Sequence, residues 1–298
     1  MPSLPRFFLI GLAGLACLSQ AAASVSVVDD AGKTVTLKQP ARRIVSLAPH
    51  ATELVHAAGA GSQLVGVAEH SDYPPAAKSL PSVGGSAALD IERILALKPD
   101  LVVAWSSGNS VKQLARLAQL GLPIYQTEPR DFETIATSLE RLSRLAGTEK
   151  TGQAEAAAFR QRWHALAGRY KDRKTVRVFY QIWRAPLMTL NDSHIVSQGL
   201  RLCGGQNIFG HLPQLAPAVS VEAVVEADPQ AIFTTTGSDD DPLGNWRRLA
   251  RLNAVRHNHL FVLDADVMHR ATPRMLDGVQ ALCEHLETAR SQSAPPAR

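Results

Sequence analysis

A thirteen-residue pattern of apolar and polar positions recurs in this chain, with one glutamate and one proline kept identical. Asp90-Ile91-Glu92-Arg93-Ile94-Leu95-Ala96-Leu97-Lys98-Pro99-Asp100-Leu101-Val102 returns 130 positions on as Ser220-Val221-Glu222-Ala223-Val224-Val225-Glu226-Ala227-Asp228-Pro229-Gln230-Ala231-Ile232. Each copy reads as an amphipathic helix, a proline that stops it and an apolar strand. Recurrence of the unit in both halves of 298 residues points to two sister lobes. Ile91/Val221, Ile94/Val224 and Leu95/Val225 are expected to be the buried helical positions. Packing does not require the glutamates that also recur, Glu92 and Glu222. Two readings stand for them: carboxylates favoured at the positive helix end, about 0.3–1 kcal/mol each, or a matched pair of anionic knobs that dock on a pseudo-symmetric cationic partner.

The rest of the chain alternates in the same way. An antiparallel hairpin over 25–40 is followed by strands at Arg43–Leu47, Leu64–Val67, Leu101–Trp105 and Pro123–Tyr125, with helices between and after them. Residues 150–170 are rich in Ala, Glu, Gln and Arg and predict one long helix crossing between lobes. Strands at Val176–Gln181, Ala231–Thr235 and Leu260–Leu263 then alternate with helices near Ile195–Cys203, Val221–Glu226, Asn245–Leu252 and Arg274–Ala289. The reading is α/β: two lobes, each a mostly parallel sheet flanked by helices, at 24–148 and 172–290, joined by an interdomain helix at 149–171. Residues 291–298 read as a disordered tail.

Arg6, the apolar run Phe7–Leu18 and Ala21-Ala22-Ala23 have the order of a secretory signal over 1–23, with Ser24 near the mature start. Cys17 as a lipid-anchored cysteine is the competing reading; Gly14 stands where that motif needs a bulky aliphatic. Past the signal, Cys203 and Cys283 form an even pair in an exported chain and read as a disulfide, with two separate buried thiols as the alternative. Closing a loop of that length contributes on the order of 4 kcal/mol in the chain-entropy view. The 31 Lys and Arg stand against 27 Asp and Glu, scattered without interleaved aromatics, which argues against nucleic acid as a partner. The nucleophile elbow, phosphate loop, zinc helix and dinucleotide fingerprint are all absent, so no catalytic residue is assigned; an exported hydrolase with dispersed residues stays open.

Ten histidines raise a metal reading. His257 and His259 are expected to be surface imidazoles leading into a strand, whereas His50, His70 and His269 fall in loops near strand ends, where α/β lobes bind ligands. Trp105 and Trp183 also end strands, one per half, as walls for a large flat ligand.

Five segments carry a family resemblance: RIVSLAPHATEL at Arg43–Leu54, GV-x-x-x-SDYPP at Gly66–Pro75, DIERILALKPDLVVAW at Asp90–Trp105, LCGGQNIF at Leu202–Phe209 and RATPR at Arg270–Arg274. With these the chain resembles the periplasmic substrate-binding proteins of iron-siderophore, haem and cobalamin ABC importers, and SDYPP, LKPDLV-x-AW and CGG-x-NIF are most similar to the cobalamin branch. The resemblance implies a non-enzymatic periplasmic receptor with two lobes on one helical strut, a Cys203–Cys283 bond, and Glu92 and Glu222 meeting arginines of an ABC permease; the helical bridge predicts little lobe movement on capture, and the chain is expected to be a monomer. It implies a ligand set of His70, Trp105 and the run Asp266-Val267-Met268-His269-Arg270, to which their positions near strand ends add His50 and Trp183. Ser86, Ala216 and Val267 stand where the branch has tryptophans and His70 where it has a tyrosine, and His70 and His269, as imidazoles, are the candidate cobalt ligands. The transported ligand it implies is cobalamin, with haem or a ferric siderophore as the alternative.

Overall fold

A computed structural model describes residues 24–86, 88–237 and 240–292. The signal segment 1–23 with Cys17, and 293–298 of the tail, lie outside the described residues. The chain opens with the hairpin β1 (Val25–Val28) and β2 (Thr34–Leu37), antiparallel with Val25 opposite Leu37. Its turn is set by Asp29, whose Oδ1 accepts from the backbone N–H of Ala31 and Lys33, and its alternation buries Val27, Val35 and Leu37.

The first lobe continues through β3 (Ile44–Ser46), α1 (Pro49–Val55), β4 (Leu64–Val67), α2 (Ile91–Ala96), β5 (Leu101–Trp105), α3 (Val111–Gln119), β6 (Ile124–Thr127) and α4 (Phe132–Ala146). Its four strands are parallel in the order β4-β3-β5-β6. After α5 (Glu149–Tyr170) come β7 (Val176–Tyr180), a ribbon of β8 (Trp183–Arg184) and β9 (Leu187–Met188), α6 (Ile195–Leu202), β10 (Gly205–Asn207), α7 (Val221–Ala227), β11 (Ala231–Thr235), α8 (Gly244–Arg247), α9 (Asn253–Arg256), β12 (Leu260–Leu263), α10 (Ala265–Met268) and α11 (Met275–Gln292). The second sheet is parallel in the order β10-β7-β11-β12. Numbered along each lobe, both sheets have the order second, first, third, fourth, so the duplicated segment belongs to a duplicated topology.

The copies match in detail. Asp90 caps α2 by accepting from Arg93 N at 2.9 Å, and Ser220 caps α7 by accepting from Ala223 N at 3.1 Å. Each helix runs into a residue at positive φ, Lys98 at 47° and Asp228 at 42°, just before the proline. Burial departs from the expectation: Ile94 and Val224 are fully buried, but Leu95, Val221 and Val225 are 36%, 44% and 43% exposed, and Ile91 is half-buried. Helices of six and seven residues bury only one position against their sheet.

Three other expectations are corrected. Asn245–Leu252 is not one helix but α8 and a loop, Ser291 and Gln292 are helical as the end of α11, and His259 is fully buried. The His259 ring lies between those of His257 and Phe261, and its Nδ1 is 3.0 Å from the Gln230 carbonyl oxygen.

At 22 residues α5 spans about 33 Å. It packs on α4 in the first lobe and touches α6 and α11 in the second. Gly152 permits the close α4 contact, since a Cβ there would collide with Ser143. Arg160 of α5 pairs with Glu133 and Glu140 of α4 at 2.5 and 2.6 Å. Cys203 and Cys283 are bonded, tying the end of α6 to α11. Among the described residues no helix is long and apolar enough to cross a membrane.

Candidate functional site

Parallel sheets leave a hollow at the carboxyl ends of their strands, where the loops diverge. The hollow of the first lobe is lined by Leu47, Pro49, Glu69, His70, Ser86 and Trp105, among others. That of the second is lined by Trp183, Arg184, Thr235, Thr236, Pro242 and His269, among others. Each hollow therefore holds one tryptophan and one imidazole. Trp105 is 36% and Trp183 61% exposed, and the Trp183 indole N–H donates to the Ala185 carbonyl at 3.0 Å, which fixes the ring. The His269 Nε2 is 3.4 Å from the Thr235 hydroxyl.

The lobes meet through an ion cluster beside the hollows. Glu53 of α1 is buried, and its carboxylate accepts from Arg270 Nη1 at 3.0 Å, Arg274 Nη1 at 3.0 Å and Thr272 Oγ1 at 2.9 Å. Arg270 also donates to Asp72 at 2.6 Å, to Asp266 at 2.8 Å and to the His70 carbonyl at 3.4 Å. The Arg274 guanidinium lies 3.7 Å over the Tyr73 ring. HATEL and SDYP of one lobe thus clasp RATPR of the other. The Arg270 hydrogen bond holds the Asp72 carboxyl below the usual carboxylate range.

The implied ligand residues divide between cleft and interior. His70, Ser86 and Trp105 come together in one hollow, and Trp183 and His269 in the other. Met268 belongs to the core instead: it is 1% exposed and packs against Gly278, because this face of α10 turns towards α11. Val267 is half-buried against the same glycine. Asp266 is exposed and engages Arg270, and Ala216 is exposed before α7; neither lines a hollow. Arg270, expected as a ligand donor, spends its guanidinium on three carboxylates and a carbonyl. The partners that consume it, Glu53 and Asp72, were not singled out by sequence, nor were Thr272 and Arg274. The only signal for them was their presence in the quoted segments. Among the described residues no group of three or more His, Cys, Asp or Glu is placed to hold a metal ion.

His50 sits inside α1 rather than in a loop, edge-on to Trp105 with ring centroids 5.4 Å apart. Burial, reinforced by the nearby Arg270 charge, lowers its pKa to about 4. The folded state therefore resists a proton that the unfolded chain accepts from about pH 6.5 downwards. Its contribution is complete above that pH and is lost as pH falls towards 4, by about 2 kcal/mol at pH 5. Burial lowers His194 to about 4 as well, in the same direction. Urea denaturation at pH 7 and pH 5 should show lower stability at pH 5, and His50→Gln should shrink the gap by about 2 kcal/mol; an unchanged gap contradicts the assignment.

Glu92 and Glu222 are exposed in the first turns of α2 and α7, each followed one turn on by an exposed aliphatic, Leu95 or Val225.

Comparison with known proteins places this architecture. The sequence profile of the periplasmic binding proteins matches residues 44–267. The vitamin B12-binding protein of Vibrio cholerae is 43% identical over 241 residues, covering 80% of this chain and 86% of that protein. The crystal structure of the periplasmic vitamin B12 binding protein BtuF of Vibrio cholerae superposes with a TM-score of 0.77, covering 84% of this chain and 98% of that one. The periplasmic heme-binding protein RhuT from Roseiflexus sp. RS-1 superposes with a TM-score of 0.74 at 24% identity, covering 83% and 99%, which shows a shared fold alone.

Proposed function

The chain belongs to the periplasmic binding protein family, and from that premise we propose that it is a periplasmic receptor that captures vitamin B12 or a close corrinoid between its lobes and delivers it to an ABC permease. It binds its ligand and does not transform it. Since heme- and vitamin B12-binding relatives share the fold, the choice between ligands turns on the cleft. The observation that carries the reading is the charge there. Arg270 and Arg274 are compensated by Glu53, Asp72 and Asp266, and Arg184, which lines a hollow, donates to the Asn245 side chain and lies close enough to Asp241 that, behind the Arg247 hydrogen bond, its charge helps lower that carboxyl's pKa. Haem and catecholate siderophores carry anionic groups that need uncompensated donors. A corrinoid offers a flat apolar face and a rim of neutral amides, which suits a tryptophan in each hollow with hydroxyls and carbonyls around it.

The test mixes purified protein with cyanocobalamin, haemin or a ferric catecholate and reads the absorbance that co-elutes on gel filtration. Stoichiometric retention of cobalamin is the expected result; retention of haemin alone overturns the reading. Trp105→Ala with Trp183→Ala should weaken cobalamin binding by one to two orders of magnitude, about 1.4–2.8 kcal/mol.

For delivery, Glu92 and Glu222 are the proposed contacts with permease arginines. Their equivalent positions in duplicated units, their exposure and their aliphatic neighbours support this role over the helix dipole alone.

A further inference from the structure

We propose that His70 is a direct axial ligand to the cobalt of the bound corrinoid, so that the receptor discriminates in favour of corrinoids whose axial ligand can be exchanged. The inference rests on the corrinoid reading above. His70 is an exposed residue on the loop after β4, with a backbone φ of 62°. Non-glycine residues seldom adopt that conformation, and it persists only where surrounding contacts impose it. Here they come from both lobes: the His70 carbonyl accepts from Asp72 N at 3.0 Å and from Arg270 Nη2 at 3.4 Å.

The backbone is thus fixed from two sides while the imidazole has no hydrogen bond or ion pair among the described residues. It lines the same hollow as Trp105, so a macrocycle seated against that wall presents a face to it. Among the residues lining that hollow His70 brings the one imidazole, and Glu69 the one carboxylate. The other cleft histidines are engaged: His50 is buried edge-on to Trp105, and the His269 ring is held near the Thr235 hydroxyl across the cleft. Imidazole is an effective ligand for late first-row metals. The step is a ligand substitution. The cobalt–water bond of an aquacorrinoid breaks, water leaves, and a neutral imidazole nitrogen donates its lone pair to Co(III). The ring's own N–H stays on the second nitrogen, and no electron is transferred.

The experiment records visible spectra of aquacobalamin and cyanocobalamin before and after binding to wild-type protein, His70→Ala and Glu69→Gln. Aquacobalamin should shift to the spectrum of an imidazole adduct on wild type and on Glu69→Gln, but keep its free spectrum on His70→Ala. Cyanocobalamin, whose cyanide is held, should not shift on any of them. The affinity ratio of aqua to cyano forms should be tenfold or more on wild type and fall towards one on His70→Ala. A bound but unshifted aquacobalamin on wild type, or a shift that survives His70→Ala, overturns the ligation alone. A shift lost in Glu69→Gln assigns the bond to the carboxylate and also overturns it. Failure of wild type to retain either corrinoid overturns the underlying reading as well.

Discussion

Glu53→Ala should lower the thermal unfolding midpoint of the purified protein by about 10 °C and weaken ligand retention with it. The Glu53 side chain is 3% exposed and is the shared acceptor for Arg270, Arg274 and Thr272 from the other lobe. Removing one partner of a buried ion pair leaves the other desolvated and unbalanced, at a cost of about 3–5 kcal/mol. Arg270 keeps Asp72 and Asp266, which holds the loss to the lower part of that range. For a chain of this size each kcal/mol moves the midpoint by roughly 2–4 °C.

The effect on ligand follows from position. Arg270 also braces the His70 carbonyl and sits beside His269, so a loosened Arg270 releases one residue of each hollow. Asp266→Ala is the control: it removes a partner that is 54% exposed, and should cost no more than about 1 kcal/mol. Scanning calorimetry on the three proteins separates the cases, and a Glu53→Ala shift no larger than that of Asp266→Ala would show that the clasp contributes nothing. The clasp is a second connection between the lobes besides α5. It accords with small lobe movement on capture, since wide opening would have to break a buried carboxylate's bonds as well as bend a helix.

Whether a feature was legible in the sequence depended on how local its cause is. The duplicated unit could be read because a cap, a short helix, a stopping proline and an apolar strand are all specified within thirteen residues. The same locality explains the errors about it. Periodicity places Ile94 and Leu95 near one helix face, but the extent of burial depends on what covers the face, and Leu95 is uncovered. The strand β10 is Gly205-Gln206-Asn207, without a single apolar residue; it is a strand because β7 pairs with it. Met268 and His269 are adjacent, and one enters the core while the other lines the cleft, a division set by where α11 passes. The clasp was the least visible feature: Glu53 and Arg270 are 217 positions apart, and neither segment has anything that names the other. Sequence supplied the residues of the cleft, whereas the pairing that neutralises its arginines, and so favours a neutral ligand, exists only once the lobes are brought together.

Charge reversal at both proposed docking positions, Glu92→Lys with Glu222→Lys, should reduce uptake of the ligand into cells by more than tenfold and leave its affinity for the purified receptor unchanged. Neither glutamate lines a hollow, so the cleft is untouched. Folding is affected little, because the caps Asp90 and Ser220 remain and a first-turn carboxylate contributes only about 0.3–1 kcal/mol. At an interface the consequences are larger. Placing a lysine against an arginine replaces an attraction by a repulsion, slows encounter and can cost several kcal/mol where the contact excludes water. If both glutamates dock as proposed, equivalent sites on two lobes held at fixed spacing by α5 and the clasp make a bidentate grip. Either single reversal should therefore retain partial uptake, and the double should lose more than the two singles combined. The aliphatic neighbours give an independent check. Leu95→Ser with Val225→Ser keeps both charges, and should weaken receptor–permease association without altering its dependence on salt, whereas the charge reversals should invert that dependence, salt then relieving a repulsion. Under the helix-dipole account alone, uptake would follow stability: the double reversal would shift the unfolding midpoint slightly and transport would be normal. Normal uptake with both charges reversed would therefore return Glu92 and Glu222 to a purely local role.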